Sequence, residues 1–127
     1  GHAAGDELLV LLGSLLQAST RDDDLACRLG GDEFAVFMPG VSDQRLHNFT
    51  QQLTRHFRQQ VRAMHPGGPF ADLSIGIATM KRDGLHTGQK LLDKADERLY
   101  QAKRSGKGRI AGLGTPAASP AASPAGA

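Results

Sequence analysis

The chain has 127 residues, 39% of them hydrophobic, which fits one compact domain with a single apolar core. Its 15 basic and 13 acidic residues leave a formal net charge of +2, so no strong field favours nucleic acid or a membrane surface as partner. No apolar run approaches the roughly 18 residues of a membrane span. Cys27 is the only cysteine, which excludes an intrachain disulfide and favours the cytoplasm.

The first half of the chain predicts a helix, a hairpin and a second helix. Leucines at one-, three- and four-residue spacing predict a helix over residues 6–18, with Asp6 in its first turn. Apolar runs at 25–29 and 34–38 flank a Gly-Gly-Asp-Glu segment and predict a β-hairpin, in which Cys27 is a buried strand residue. The second run is apolar on both faces, which predicts a central strand covered on both sides. A long amphipathic helix is predicted over residues 43–64.

The second half predicts a strand, a helix and a short strand. Residues 72–79 alternate large apolar with small side chains, and the small face allows close approach by either a helix or a ligand. A helix is predicted over 89–105 with Gly106 as its C-cap, and a last short strand at 109–110. This order of elements predicts an α/β sandwich with a mixed β-sheet.

The end of the sequence differs sharply in composition from the rest. Residues 115–127 contain only Thr, Pro, Ala, Ser and Gly, with no charge and no large apolar group to bury. We therefore predict a folded domain over residues 1–112 and a disordered Pro/Ala/Ser-rich tail over 113–127.

Residues 30–33, Gly-Gly-Asp-Glu, place two carboxylates beside two glycines in the predicted hairpin turn. Mg²⁺ binds one or two carboxylates together with water and substrate phosphates, and glycines let a triphosphate approach the backbone. From spacing alone, however, a plain turn with two exposed acids is the stronger interpretation.

Four ordered blocks of sequence resemble the GGDEF family of diguanylate cyclases, which condense two GTP molecules into cyclic di-GMP. The resemblance implies a nucleotidyl-cyclase-like fold, a mixed β-sheet sandwiched by helices, that is N-terminally truncated here. The blocks span residues 1 to 109 and are GHAAGDELL at 1–9, RLGGDEFAV at 28–36, SIGIA at 74–78 and ADERLYQAK at 95–103.

The resemblance implies specific roles at the hairpin. It makes Asp32 and Glu33 catalytic residues that bind Mg²⁺ or Mn²⁺, with Glu33 either a metal ligand or a proton-handling group. It also implies that Gly30 and Gly31 contact the GTP substrate. Asp6 matches a carboxylate that binds guanine, and a role as a favourable charge at a helix N-terminus is compatible with this.

Two further pairs of residues match family positions. Lys103 and Lys107 match basic residues that contact GTP phosphates. The alternative interpretation is that they are cations that complement the dipole of a helix C-terminus. Arg21 and Asp24 match the R-x-x-D inhibitory site that binds the product cyclic di-GMP, and five residues separate Asp24 from the first motif glycine. The alternative for this pair is a solvated acidic loop.

The implied chemistry needs a homodimer, because each protomer holds one GTP and cannot present its hydroxyl to its own substrate. The resemblance places the family's first helix and first strand upstream of Gly1, together with a metal-binding Asp and a guanine-contacting Asn. We therefore expect residues 1–127 alone to be inactive, and any membrane anchor of the parent protein to lie upstream. No nucleic acid or membrane contact is expected for this segment itself.

Two functions from other classes stay open at this point. One is a non-catalytic module that senses cyclic di-GMP through Arg21 and Asp24, or GTP through Asp6. The other is a remnant used only for dimerisation. The intact acidic pair Asp32 and Glu33 argues against both, since a module freed from catalysis need not keep it.

Overall fold

The computed structural model describes residues 2–68, 71–106 and 108–112, so the predicted tail at 113–127 lies outside the described residues. The chain divides into two compact units, unit 1 within residues 1–71 and unit 2 within residues 72–127. Unit 1 contains α1 (His2–Ser19), β1 (Leu25–Gly30), β2 (Glu33–Phe37) and α2 (Asp43–Met64). Unit 2 contains β3 (Ile75–Gly76), α3 (Met80–Asp83), α4 (Gly88–Arg104) and β4 (Ile110–Ala111).

Helix α2 forms where its apolar repeat predicts, and its predicted bounds are confirmed. Ser42 caps its N-terminus, because the Ser42 hydroxyl accepts a hydrogen bond of 3.0 Å from the amide of Arg45. Helix α1 packs against α2 and against β1. The buried side chains of α2 recur every three or four residues along one face and are Leu46, Thr50, Leu53, Thr54, Phe57 and Val61.

Helix α1 begins earlier than the leucine pattern predicted. It starts at His2, so its first turn contains no acidic residue and Asp6 lies in the second turn. The prediction that Asp6 stabilises the helix N-terminus is therefore wrong. The two alanines at positions 3 and 4 explain the early start, since alanine is the strongest helix former and needs no apolar repeat to extend a helix.

Strands β1 and β2 form the predicted antiparallel hairpin, with Leu25 opposite Phe37 and Gly30 opposite Glu33. Among the described residues, β2 pairs with β1 alone, and all five of its residues are half-buried. The prediction of a central strand covered on both sides is therefore wrong. Cys27 is likewise half-buried instead of buried. Apolar residues on both faces of β2 show that the strand can be buried on both sides. Whether it is a central strand depends on which other strands lie next to it.

In unit 2, β3 and β4 pair in parallel, with Ile75 opposite Ile110. Bonds of 2.9 Å from the Ile75 amide to the Arg109 carbonyl and from the Ile77 amide to the Ala111 carbonyl complete the ladder. The strand predicted over 72–79 is therefore reduced to two residues, because its partner β4 is equally short. The α/β class is confirmed, and the described strands form one antiparallel and one parallel pair.

Helix α4 packs closely on β3 at Gly76. A Cβ atom added to Gly76 would overlap the carbonyl oxygen of Ala95 and would lie 2.8 Å from the Cα of Leu99. At this position the small face of the strand serves helix packing, which was one of its two predicted uses. Helix α4 ends at Ser105 as C-cap, and Gly106, predicted as the cap, follows it with a φ of 121°.

The short helix α3 was not predicted. The hydroxyl of Thr79 accepts a hydrogen bond of 3.1 Å from the amide of Arg82, and Gly84 ends the helix at a φ of 65°. A threonine followed by a glycine five residues later is a sequence signal for the start and the end of a short helix. It was missed because a four-residue helix is too short to show an apolar repeat.

An ion pair ties α3 to α4. The guanidinium of Arg98 donates to both oxygens of Asp83 at 2.7 and 2.8 Å, and also to the Ile77 carbonyl at 2.8 Å. The Asp83 side chain is 11% exposed. The Arg98 hydrogen bonds are the main cause that lowers the pKa of Asp83 to about 2, although burial acts in the opposite direction. The amide of Thr79, which donates to Asp83 Oδ2, lowers the pKa further.

We predict that Gly76→Ala destabilises unit 2 by about 2 kcal/mol, because the added methyl group forces α4 away from β3. Urea denaturation followed by circular dichroism measures this. Gly88→Ala is the matched control, since nothing lies within 4 Å of a Cβ at that position. Equal stability of the two variants would contradict the close packing described at Gly76.

We also predict a pH-dependent contribution from Asp83. Its folded pKa of about 2 lies below the usual value of 3.8, so its stabilisation is present above about pH 4 and is lost as the pH falls toward 2. Asp83→Asn should therefore lower the free energy of unfolding at pH 7 by about 1 to 2 kcal/mol and flatten its fall in acid. The exposed Asp93→Asn serves as control, and an equal acid response in both variants would refute the prediction.

Candidate functional site

The hairpin turn in unit 1 presents open backbone. Gly30 and Gly31 have φ values of 143° and 53°, which lie in the region that other residues rarely adopt. A Cβ at either position would meet nothing within 4 Å, so the space beside the turn is open. Asp32 is exposed in the turn, and Glu33 is the half-buried first residue of β2.

Arg28 holds this turn from the preceding strand. Its Nη2 and Nε atoms donate to the carbonyl oxygen of Gly31 at 2.6 and 3.1 Å. The strand register is irregular between Arg28 and Gly30, so the side chain supports the turn where the backbone ladder is interrupted. Sequence reasoning gave Arg28 no role. Its place two residues before Gly30 was the available signal.

The acidic residues of the turn fit a hard divalent cation. Asp32 and Glu33 supply two carboxylates from successive positions, and no group of three or more potential metal ligands occurs within the described ranges. Mg²⁺ keeps several waters and takes one or two protein carboxylates plus phosphate oxygens. The donor set therefore fits a metal that binds mainly together with a nucleotide.

Asp6 lies exposed on α1, the helix that packs on β1. Gly13 on the same helix lies against the ring of Phe34, whose Cε2 would be 3.8 Å from an added Cβ. Helix α1 and β2 are therefore neighbours at this point, with room for an ordinary van der Waals contact. The carboxylate of Asp6 has the two acceptor oxygens that a guanine edge requires.

Arg21 and Asp24 lie together in the loop between α1 and β1. The Asp24 Oδ2 atom accepts hydrogen bonds from the Arg21 amide at 2.8 Å and from the Arg45 Nη2 at 2.6 Å. The Asp24 side chain is only 2% exposed, whereas Arg21 is exposed. The structure therefore brings this predicted pair together, but it also adds Arg45, which sequence reasoning missed because it lies 21 positions from Asp24.

The environment of Asp24 keeps it ionised. The Arg45 hydrogen bond, followed by the Arg21 amide, lowers the pKa of Asp24 below its usual value despite the opposing effect of burial. A cavity of about 230 Å³ opens beside it. The cavity is lined by the loop, by the β2–α2 turn and by the start of α2, through Arg21, Asp23, Asp24, Pro39, Gly40, Val41, Ser42 and Arg45.

The predicted phosphate-binding lysines belong to unit 2. Lys103 lies half-buried in the last turn of α4, where a cation also complements the helix dipole. The neighbouring Arg104 guanidinium lies 5.7 Å from the centroid of the Tyr100 ring. Lys107 lies outside the described residues. None of the described helices is both long and apolar enough to cross a bilayer.

The sequence model of the family described as "Diguanylate cyclase, GGDEF domain" matches residues 1–109. The response regulator PleD of Caulobacter vibrioides is 33% identical over 114 residues, which cover 88% of this chain and 25% of PleD. Diguanylate cyclase DgcP of Pseudomonas aeruginosa is 30% identical over 112 residues, which cover 87% of the chain and 16% of DgcP. An uncharacterised protein of Bacillus subtilis, YtrP, is 33% identical over 110 residues, covering 87% of the chain and 18% of YtrP.

The fold gives the same result as the sequence comparison. The crystal structure of the GGDEF domain of YfiN (also called TpbB) from Pseudomonas aeruginosa superposes with a TM-score of 0.66 at 32% identity, covering 90% of this chain and 72% of that domain. The chain thus spans most of a solved GGDEF domain but between 16% and 29% of the curated relatives. The chain belongs to the GGDEF family of diguanylate cyclase domains.

Proposed function

We propose that the full-length protein containing this chain is a cytoplasmic diguanylate cyclase that converts two GTP into cyclic di-GMP and two pyrophosphates. The observation that carries this proposal is the hairpin turn, where open glycine backbone lies next to Asp32 and Glu33. Arg28 holds the carbonyl of Gly31 and so fixes the backbone that carries both carboxylates. Family membership supports the same activity.

In this mechanism the turn holds the reacting end of GTP. The absence of side chains at Gly30 and Gly31 lets the triphosphate approach the backbone, and Arg28 keeps the turn in shape. Asp32 and Glu33 would hold Mg²⁺ or Mn²⁺. The metal supplies charge stabilisation at the phosphates. We assign Glu33 the further role of taking the proton that leaves the attacking hydroxyl.

The reaction forms two phosphodiester bonds. The 3′-hydroxyl of each GTP attacks the α-phosphate of the other, loses its proton and expels pyrophosphate. One turn of this kind binds one GTP, so two copies of the domain must face each other. A homodimer is therefore the active form that we propose.

Residues outside the turn provide selectivity for guanine and for product. Asp6 accepts hydrogen bonds from the N1–H and N2–H donors that distinguish guanine from adenine. Lys103 and Lys107 bind GTP phosphates. Arg21 and Asp24 bind cyclic di-GMP and inhibit the enzyme, a role supported by the cavity that both residues line.

We predict that Glu33→Gln and Asp32→Asn each reduce cyclic di-GMP formation by about 100-fold or more, because each removes a charge at the reacting centre. Chromatography of GTP, cyclic di-GMP and pyrophosphate with the full-length protein and Mg²⁺ measures this. Chelation by EDTA should stop the wild-type reaction, and the exposed Asp93→Asn is the control. Undiminished turnover in both hairpin variants would exclude the assigned roles.

A non-catalytic sensing module would give a different result in the same assay. Full-length protein that binds cyclic di-GMP or GTP without turnover would indicate sensing, whereas dimerisation without nucleotide binding would indicate a structural remnant. Either result would overturn the cyclase proposal.

We predict that Arg21→Ala relieves inhibition by added cyclic di-GMP. The fold of the loop should survive, because Asp24 is bonded by the backbone amide of Arg21 and not by its side chain. Turnover at increasing product concentration measures the effect, and the initial rate reports the active site separately. Arg55→Ala, on the exposed side of α2, is the control. An unchanged inhibition curve for Arg21→Ala would refute the role of this residue.

A further inference from the structure

Arg45 already occupies the carboxylate that the proposed product site needs. A guanine edge offers two donors side by side and requires both oxygens of a carboxylate. In the structure, Oδ2 of Asp24 accepts two hydrogen bonds, at 2.6 Å from Arg45 and 2.8 Å from the Arg21 amide. The second guanidinium nitrogen of Arg45 lies 3.5 Å from Oδ1. Oδ2 is therefore already engaged, and Arg45 covers Oδ1 at longer range.

Arg45 is itself well fixed in this position. Its amide donates to the Ser42 cap at 3.0 Å, which sets the backbone in the first turn of α2. Its guanidinium then reaches the loop that contains Asp24, and this contact leaves the Asp24 side chain 2% exposed. Charge-assisted two-point contacts of this type are among the stronger hydrogen bonds in proteins. A ligand must compete with this contact to reach Asp24.

The cavity is small for the proposed ligand. Its volume is about 230 Å³. Pockets that enclose drug-sized ligands range from about 300 to 1,000 Å³. Cyclic di-GMP contains two guanosines, so the cavity as it stands admits only part of it. Movement of Arg45 away from Asp24 would enlarge the cavity on its α2 side, since both side chains line it.

We propose that Arg45 is a regulatory residue that closes the product site by pairing with Asp24, so that a guanine ligand binds there only by displacing it. The proposal rests on the product-binding part of the proposed function. The ion pair then sets the product concentration at which feedback begins. Loss of the pair lowers that concentration.

The test is titration calorimetry of cyclic di-GMP into the full-length protein. Arg45→Ala should bind about tenfold more tightly than the wild type, because Asp24 no longer has to release a partner. Arg45→Lys keeps the positive charge but loses the two-point contact, and should bind with intermediate affinity. Arg55→Ala removes the same side chain from the same helix outside the cavity, and should bind like the wild type.

Two further measurements keep the outcomes distinct. Arg21→Ala combined with Arg45→Ala should lose the gain if the ligand occupies this cavity, and thermal unfolding checks that each variant is folded. Equal or weaker binding by folded Arg45→Ala and Arg45→Lys would overturn the proposal, since Arg45 would then either leave binding unaffected or assist the ligand. Failure of every variant to bind would overturn both the closure and the feedback role. Turnover of GTP, measured separately, decides the cyclase activity.

Discussion

The hairpin turn between β1 and β2 is the constraint on which the candidate site depends. Two successive glycines with positive φ allow the chain to reverse without side chains on the open face. The Arg28 guanidinium fixes the carbonyl of Gly31 where the ladder is irregular. This combination places Asp32 in the turn and Glu33 at the start of β2. A side chain at either glycine would be strained in this backbone conformation.

Each unit contains an ion pair between a helical arginine and an aspartate, and the two ion pairs fit different roles. In each, a helical arginine makes a two-point contact with an aspartate of an earlier segment, Arg45 with Asp24 and Arg98 with Asp83. Arg98 also donates to the Ile77 carbonyl, so its release would leave a further buried acceptor. Arg45 lies beside a cavity, where a ligand can replace it. The Arg98–Asp83 pair therefore fits a structural role, whereas the Arg45–Asp24 pair fits a site that opens and closes.

Sequence reasoning succeeded where a long repeat or a turn signal decides the structure. Helix α2 and the hairpin follow from such local patterns. It failed where contacts between segments distant in sequence decide the structure, as for β2, which was predicted to be covered on both sides and is half-buried. It also missed Arg45, because no local pattern joins residues 21 positions apart. The roles of Asp32 and Glu33 came from the family resemblance, since spacing alone favoured a plain turn.

The central claim is that the Gly-Gly-Asp-Glu turn holds the metal and the GTP phosphates together. Paramagnetic broadening of amide NMR signals by Mn²⁺, with a non-hydrolysable GTP analogue bound to the full-length protein, tests this most directly. The account predicts that the signals of residues 30–34 broaden first, that the broadening needs the nucleotide, and that Asp32→Asn weakens it. Broadening centred on another part of the chain, with residues 30–34 unaffected, would contradict it.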